Sequence, residues 1–177
     1  MNSRHGYTIS CLKIIFEKTI IPLLYFMNKV GIKPIHLTFS GLIFSLIPAF
    51  FYIKGNFILA GILLIIFSLF DTLDGALARY NSSTTQFGAF IDSVTDRIQE
   101  GIIFSSLMYF YREEIVKVLI LFFSFLFSFL ISYTRARAEG LSHSIKVGPM
   151  EREERIAFIA FSSLTGKNIF FYLLILF

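Results

Sequence analysis

Long apolar blocks separated by short charged segments dominate this chain, and they leave few folds open. The run LFFSFLFSFLIS at 121–132 is the densest of them. A helix that crosses a bilayer needs about 20 predominantly apolar residues. Four blocks reach that length once their ends are included: Pro34 to Ile53, Phe57 to Arg79, Thr84 to Tyr111, and Val116 to Glu139. Lys54-Gly55-Asn56 and Arg112-Glu113-Glu114 mark turns between them. A fifth helix is expected to start at Met150 or Glu151 and become apolar after Ile156. Asn168–Phe177 forms a sixth segment, too short for a full span. Composition agrees: 55% of the 177 residues are hydrophobic, against about 45–50% in soluble domains. The single cysteine, Cys11, excludes an intrachain disulfide.

Before the first span, Cys11 to Val30 mixes apolar residues with Lys13, Glu17, Lys18 and Lys29. That pattern predicts an amphipathic helix lying in the membrane interface, with Pro22 a point of division and Gly31 and Pro34 ending it. Met1–Ser10 shows no cleavable signal pattern. The expected fold is therefore all-α: a polytopic membrane helix bundle of about six transmembrane segments, preceded by an interfacial amphipathic helix. Residues 1–33 form the interfacial part and 34–177 the membrane domain.

Charge assigns the sides. Alternating the spans collects Lys13, Lys18, Lys29, Lys33, Arg79, Arg135, Arg137, Lys146, Arg152 and Arg155 on one side, with Lys54, Arg112, Lys117 and Lys167 opposite. The richer side is expected to face the cytoplasm of a cell membrane. No nucleic-acid partner is indicated.

Four aspartates lie toward that same side, within DTLDGALARYNSSTTQFGAFIDSVTDR at 71–97. Asp71 and Asp74 are three residues apart, Asp92 and Asp96 four apart, so each pair shares a helix face. The polar run NSSTTQ lets the chain turn back between them. Such a hairpin points four carboxylates at one volume, where a cation must offset their repulsion. Oxygen-only ligands select a hard ion, Mg²⁺ or Mn²⁺. Gly75, Ala78 and Gly88 are small enough to let helices and a ligand approach closely.

Asp71-x2-Asp74-Gly75-x2-Ala78-Arg79-x8-Gly88-x3-Asp92-x3-Asp96 resembles the signature of the CDP-alcohol phosphotransferases at every fixed position. The resemblance implies that Asp71, Asp74, Asp92 and Asp96 hold two divalent ions on the diphosphate of a CDP-linked lipid. It also implies that Asp96 is the base for the acceptor hydroxyl, a role that spacing alone does not separate from the other three. Arg79, near the face of Asp71, suits the donor phosphates. Pro34, Ile35 and Thr38 match the family's first-span segment of the nucleotide pocket, with Ile35 where Asn or Asp is usual. Thr85 matches a further donor-binding position, and Gly75, Ala78 and Gly88 belong to the same site. His36 reads as an interfacial residue and Glu100 as the partner of an arginine.

A second constellation joins Tyr133-Thr-Arg135-Ala-Arg137 to Glu151-Arg152-Glu-Glu-Arg155. Guanidinium groups suit bidentate phosphate binding, so Arg135, Arg137, Arg152 and Arg155 are the candidates for an acceptor phosphate. A positive-inside belt paired with nearby glutamates is the plainer reading of the same residues. The pattern is similar to that of enzymes making phosphatidylinositol phosphate or its archaeal ether-lipid counterpart, although a Lys usually stands at the position of Arg135. The resemblance therefore implies a homodimeric transferase that moves a phosphatidyl or archaetidyl group from a CDP-lipid to 1-phospho-myo-inositol, releasing CMP. Glycerol 3-phosphate is the alternative anionic acceptor. An ion channel or transporter is the alternative of another class, since intramembrane aspartates also line ion pathways. No inverted repeat supports a transporter.

Overall fold

A computed structural model describes residues 20–142 and 152–165, with the side chains of Phe70 and Asp71 outside the description. The described residues form helices and connecting turns: α1 (Ile20–Val30), α2 (Pro34–Phe44), α3 (Leu46–Ile53), α4 (Phe57–Tyr80), α5 (Gln86–Phe110), α6 (Ile115–Gly140) and α7 (Arg152–Ser163). Where the expected boundaries fall within the described residues they hold to within a few residues, except that the first span is divided. The expected sixth segment, Asn168–Phe177, lies outside the described residues, as does the chain before Ile20.

Among the described residues, three helical segments are long and apolar enough to cross a membrane: Pro34–Ile53, Phe57–Tyr80 and Ile115–Gly140. The 25 residues of α5 would extend about 37 Å, but Asp92, Asp96, Arg97 and Glu100 lower the apolar content of the part up to Glu100. The 12 residues of α7 are shorter than a span. Much of the apolar surface faces outward, including Phe39, Ile43, Ile62, Ile66, Phe122 and Phe129. Lipid chains are the natural neighbours of that surface.

Turn chemistry explains the chain reversals. At the end of α1, Gly31 takes φ 82°, its N–H donates to the Asn28 carbonyl and that of Ile32 to Met27, both at 3.0 Å. This is a glycine-centred helix stop. Gly55 repeats it at φ 76°, with bonds to Tyr52 and Phe51; a β-carbon there would also strike the Phe110 ring at 2.7 Å. The first span is expected as one helix but is interrupted at Ser45, between α2 and α3. Pro48 has no N–H to offer the Phe44 carbonyl, which accounts for the break.

The principal core gathers Tyr52, Phe57, Phe104, Leu107, Leu121 and Ile159 from α3 to α7. Phe57 and Phe110 stack edge-on at 4.9 Å, so the α3–α4 turn and the end of α5 share one end of the bundle. A smaller cluster seats Leu24 and Met27 of α1 on Leu73, Ala76 and Leu77 of α4. α1 therefore presents one face to the bundle and leaves Ile21, Tyr25 and Phe26 exposed. Close packing brings α7 to α4: a β-carbon at Gly61 would lie 2.7 Å from the Ala160 carbonyl oxygen and from Ser163 Cβ. Tyr52 and Ser163 hydroxyls bond at 2.6 Å across the same core.

Candidate active site

Two cavities open where α4 ends and where α2, α5 and α7 begin. The larger encloses about 930 Å³ and the smaller about 390 Å³. Asp74, Gly75, Arg79 and Asp92 line both, so the cavities meet along the facing walls of α4 and α5.

Asp74 is buried at 6% exposure, and Thr38 Oγ1 donates to its Oδ2 at 2.6 Å. A buried carboxylate needs such a donor. Thr38 sits one helical turn beyond Pro34, which starts α2 without an unsatisfied N–H. On α4, a β-carbon at Gly75 would meet Arg79 Nη1 at 3.4 Å, so the glycine leaves room for the guanidinium to lie back over its own helix. Thr85 caps α5, its hydroxyl accepting from the Gly88 N–H at 3.0 Å. The positive end of α5 therefore borders the larger cavity beside Lys33 and Arg79. Helix N-terminus and basic side chains together suit a phosphate. Every residue expected at the donor site, Pro34, Ile35, Thr38, Gly75, Ala78, Arg79, Thr85 and Gly88, lines this cavity.

The smaller cavity adds Asp96 and Gln99 from α5 and Arg152 from α7. Arg152 Nη1 lies 2.7 Å from Asp96 Oδ1, and its Nη2 donates to Gln99 Oε1 at 2.6 Å. Arg97 approaches the other Asp96 oxygen at 3.3 Å. Ser45, Ser68 and Thr72 add hydroxyl groups to the wall.

The four expected acceptor arginines are not brought together. Arg152 lines the smaller of these two cavities, and the other three line neither. Arg135 pairs with Glu139 at 3.2 Å on the exposed end of α6, and Arg137 is exposed nearby. Arg155 is buried at 5% exposure and faces Glu100 at 3.4 Å, the type of partner expected for Glu100. The spacing of 152 and 155 indicates a shared face but carries no information on depth. Gln99 had no signal in the sequence. The buried hydroxyls of Ser124, Ser128 and Ser132 did: their four-residue spacing marks one face of α6.

Asp74, Asp92 and Asp96 offer carboxylate oxygens only, a donor set that fits a hard divalent ion. Among the described residues no three acidic, histidine or cysteine side chains converge closely enough to hold an ion unaided. Asp71 lies one turn before Asp74 on α4, its side chain outside the described residues. Coordination here would need Asp71 and oxygens of a bound phosphate ligand, the usual arrangement for Mg²⁺.

The chain resembles proteins of known activity. It is 36% identical over 139 residues to the archaetidylinositol phosphate synthase of Pyrococcus horikoshii, covering 78% of this chain and 72% of that one. The crystal structure of Mycobacterium tuberculosis phosphatidylinositol phosphate synthase with CDP-DAG bound superposes with a TM-score of 0.81 and 28% identity, covering 88% of this chain and 84% of that one. The same enzyme in complex with manganese and citrate gives a TM-score of 0.76 and 26% identity, covering 86% and 81%. Residues 32–176 match the family model for CDP-alcohol phosphatidyltransferase, and the chain belongs to that family.

Proposed function

We propose that this protein transfers a phosphatidyl or archaetidyl group from a CDP-lipid to 1-phospho-myo-inositol, forming the corresponding inositol phosphate lipid and CMP. One observation carries the reading: two cavities meet at Asp74 and Asp92, one lined by the whole donor motif and the other by Arg152. The larger has the volume and the basic, helix-capped wall for a CDP diphosphate. The smaller suits a compact polyol with an anionic group. The relatives named above for archaetidylinositol and phosphatidylinositol phosphate synthesis favour inositol 1-phosphate over glycerol 3-phosphate.

In the reaction, an acceptor hydroxyl oxygen attacks the lipid-side phosphorus of the donor diphosphate. The bond from that phosphorus to the bridging oxygen breaks, and the oxygen leaves with CMP. Asp96, at the smaller cavity, accepts the hydroxyl proton. Arg79 and the N-terminus of α5 hold the donor phosphates. Thr38 fixes Asp74, and Arg152 binds the acceptor phosphate. Two Mg²⁺ or Mn²⁺ ions held by Asp71, Asp74, Asp92 and Asp96 would offset phosphoryl charge during the transfer; the manganese complex of the mycobacterial relative supports divalent-ion use.

The finer architecture follows the same reading. The membrane-embedded bundle carries this site on the side that faces the cytoplasm of the cell membrane. By family resemblance the enzyme is a homodimer. Its donor and acceptor sites are separated by paired variants. Arg79→Ala should raise the KM for the CDP-lipid and Arg152→Ala that for inositol 1-phosphate, each by about tenfold or more. The same dependence on both substrates in both variants would contradict the two-cavity assignment.

A further inference from the structure

Two arginines on α7 face two carboxylates on α5 as a ladder. The outer rung joins Arg152 to Asp96 at 2.7 Å, at the smaller cavity. The inner rung joins Arg155 to Glu100 at 3.4 Å, with side chains 6% and 1% exposed. Around the inner rung, Ser128 Oγ donates to Glu100 Oε1 at 2.5 Å, and Arg155 Nη2 donates to Ser132 Oγ at 3.2 Å. Neither Glu100 nor Arg155 lines either cavity.

Burying a charge pair in a helix bundle is costly, and an apolar pair of similar volume would hold α7 in place as well. What the ion pair adds is register. A rotation of α7 by one residue would swing its side chains about 100°. Apolar contacts tolerate part of such a slip, but a buried guanidinium seated between Glu100 and Ser132 does not. Arg152 sits three residues before Arg155, on the same face, so fixing Arg155 fixes the direction of Arg152. Glu100 follows Asp96 and Gln99 on α5, so both partners of Arg152 share its frame.

We propose that Glu100 and Arg155 are a positioning pair that sets the rotation of α7 and so holds Arg152 where the anionic group of the acceptor binds. This rests on the reading of the smaller cavity as the acceptor site. It assigns Arg155 to the support of that site, in place of the direct phosphate contact expected from its sequence spacing.

The test is steady-state kinetics of the purified full-length enzyme with Mg²⁺, varying CDP-diacylglycerol and inositol 1-phosphate separately. Glu100→Gln should raise the acceptor KM by about tenfold and leave the donor KM within about twofold. Glu100→Asp, which keeps the charge, should recover part of the loss. In an Arg152→Ala background Glu100→Gln should add no further rise, because its effect passes through Arg152. Equal loss for both substrates, or additive effects in the double variant, would overturn the proposal. If Glu100→Gln does not accumulate in the membrane, Ser128→Ala serves instead by removing one hydrogen bond from Glu100. An unchanged acceptor KM in Ser128→Ala would then count against the pair, and a selective rise for it. Should Arg152→Ala leave the acceptor KM intact, the acceptor-site reading fails first, and the positioning role with it.

Discussion

Thr38 on α2 donates a 2.6 Å hydrogen bond to Asp74 on α4, across 36 residues of sequence. This contact joins the first span to the aspartate motif and fixes one carboxylate at the junction of both cavities. Removing it takes one donor away from a buried carboxylate. Thr38→Val should therefore lower kcat/KM for the CDP-lipid by about ten- to a hundredfold, as loss of a hydrogen bond to a charged group costs about 1.5–3 kcal/mol. Thr38→Ser should retain most activity. Kinetics with the CDP-lipid varied check both.

Asp92 lines both cavities, and its carboxylate is proposed to serve an ion on the donor diphosphate. Asp92→Asn should reduce turnover by more than about a hundredfold. With wild-type protein, Mg²⁺ and CDP-lipid together should raise Tm by more than the sum of their separate effects. The variant should lose that extra rise while still inserting in the membrane. A calorimetric or fluorescence melting series in detergent reads it out.

Much of this architecture was legible because it depends on local rules. Pro34 starts α2, Gly31 and Gly55 stop helices in left-handed geometry, and Thr85 caps α5. The donor residues were legible through the resemblance, which matches Gly75, Ala78, Arg79, Thr85 and Gly88 in one stretch and Pro34, Ile35 and Thr38 in the first span. The arginines were not. Whether Arg152 or Arg155 reaches a cavity depends on how α7 rotates against α5, a relation between residues 53 to 55 apart. Pro48 did carry a signal for the break at Ser45, but an apolar run around it reads as one uninterrupted helix.

Gly61 controls how closely α7 approaches α4. A β-carbon there would stand 2.7 Å from a backbone oxygen of Ala160, which cannot rotate away. Gly61→Ala should destabilise the bundle by about 1–3 kcal/mol through overpacking. Because α7 carries Arg152, the acceptor KM should rise more than the donor KM. Thermal unfolding and the two KM values measure the two effects.

Lys33 and Arg79 share one cavity, whereas Lys54 belongs to the turn beside Phe110 at the other end. In a Cys11→Ser background, Asn56→Cys should react with an impermeant maleimide on intact cells. Ser82→Cys, at the exposed turn after α4, should react only after the membrane is opened. The reverse labelling would place the site on the outer face.

The central claim is the transfer itself, and product analysis tests it most directly. Purified protein with Mg²⁺ and CDP-diacylglycerol or its archaeal diether counterpart is supplied in turn with inositol 1-phosphate, glycerol 3-phosphate and inositol. CMP and lipid products are then identified by mass. The account predicts CMP release that depends on inositol 1-phosphate, together with equimolar inositol phosphate lipid. Preferential reaction with glycerol 3-phosphate or inositol, or no CMP from any acceptor, would contradict it.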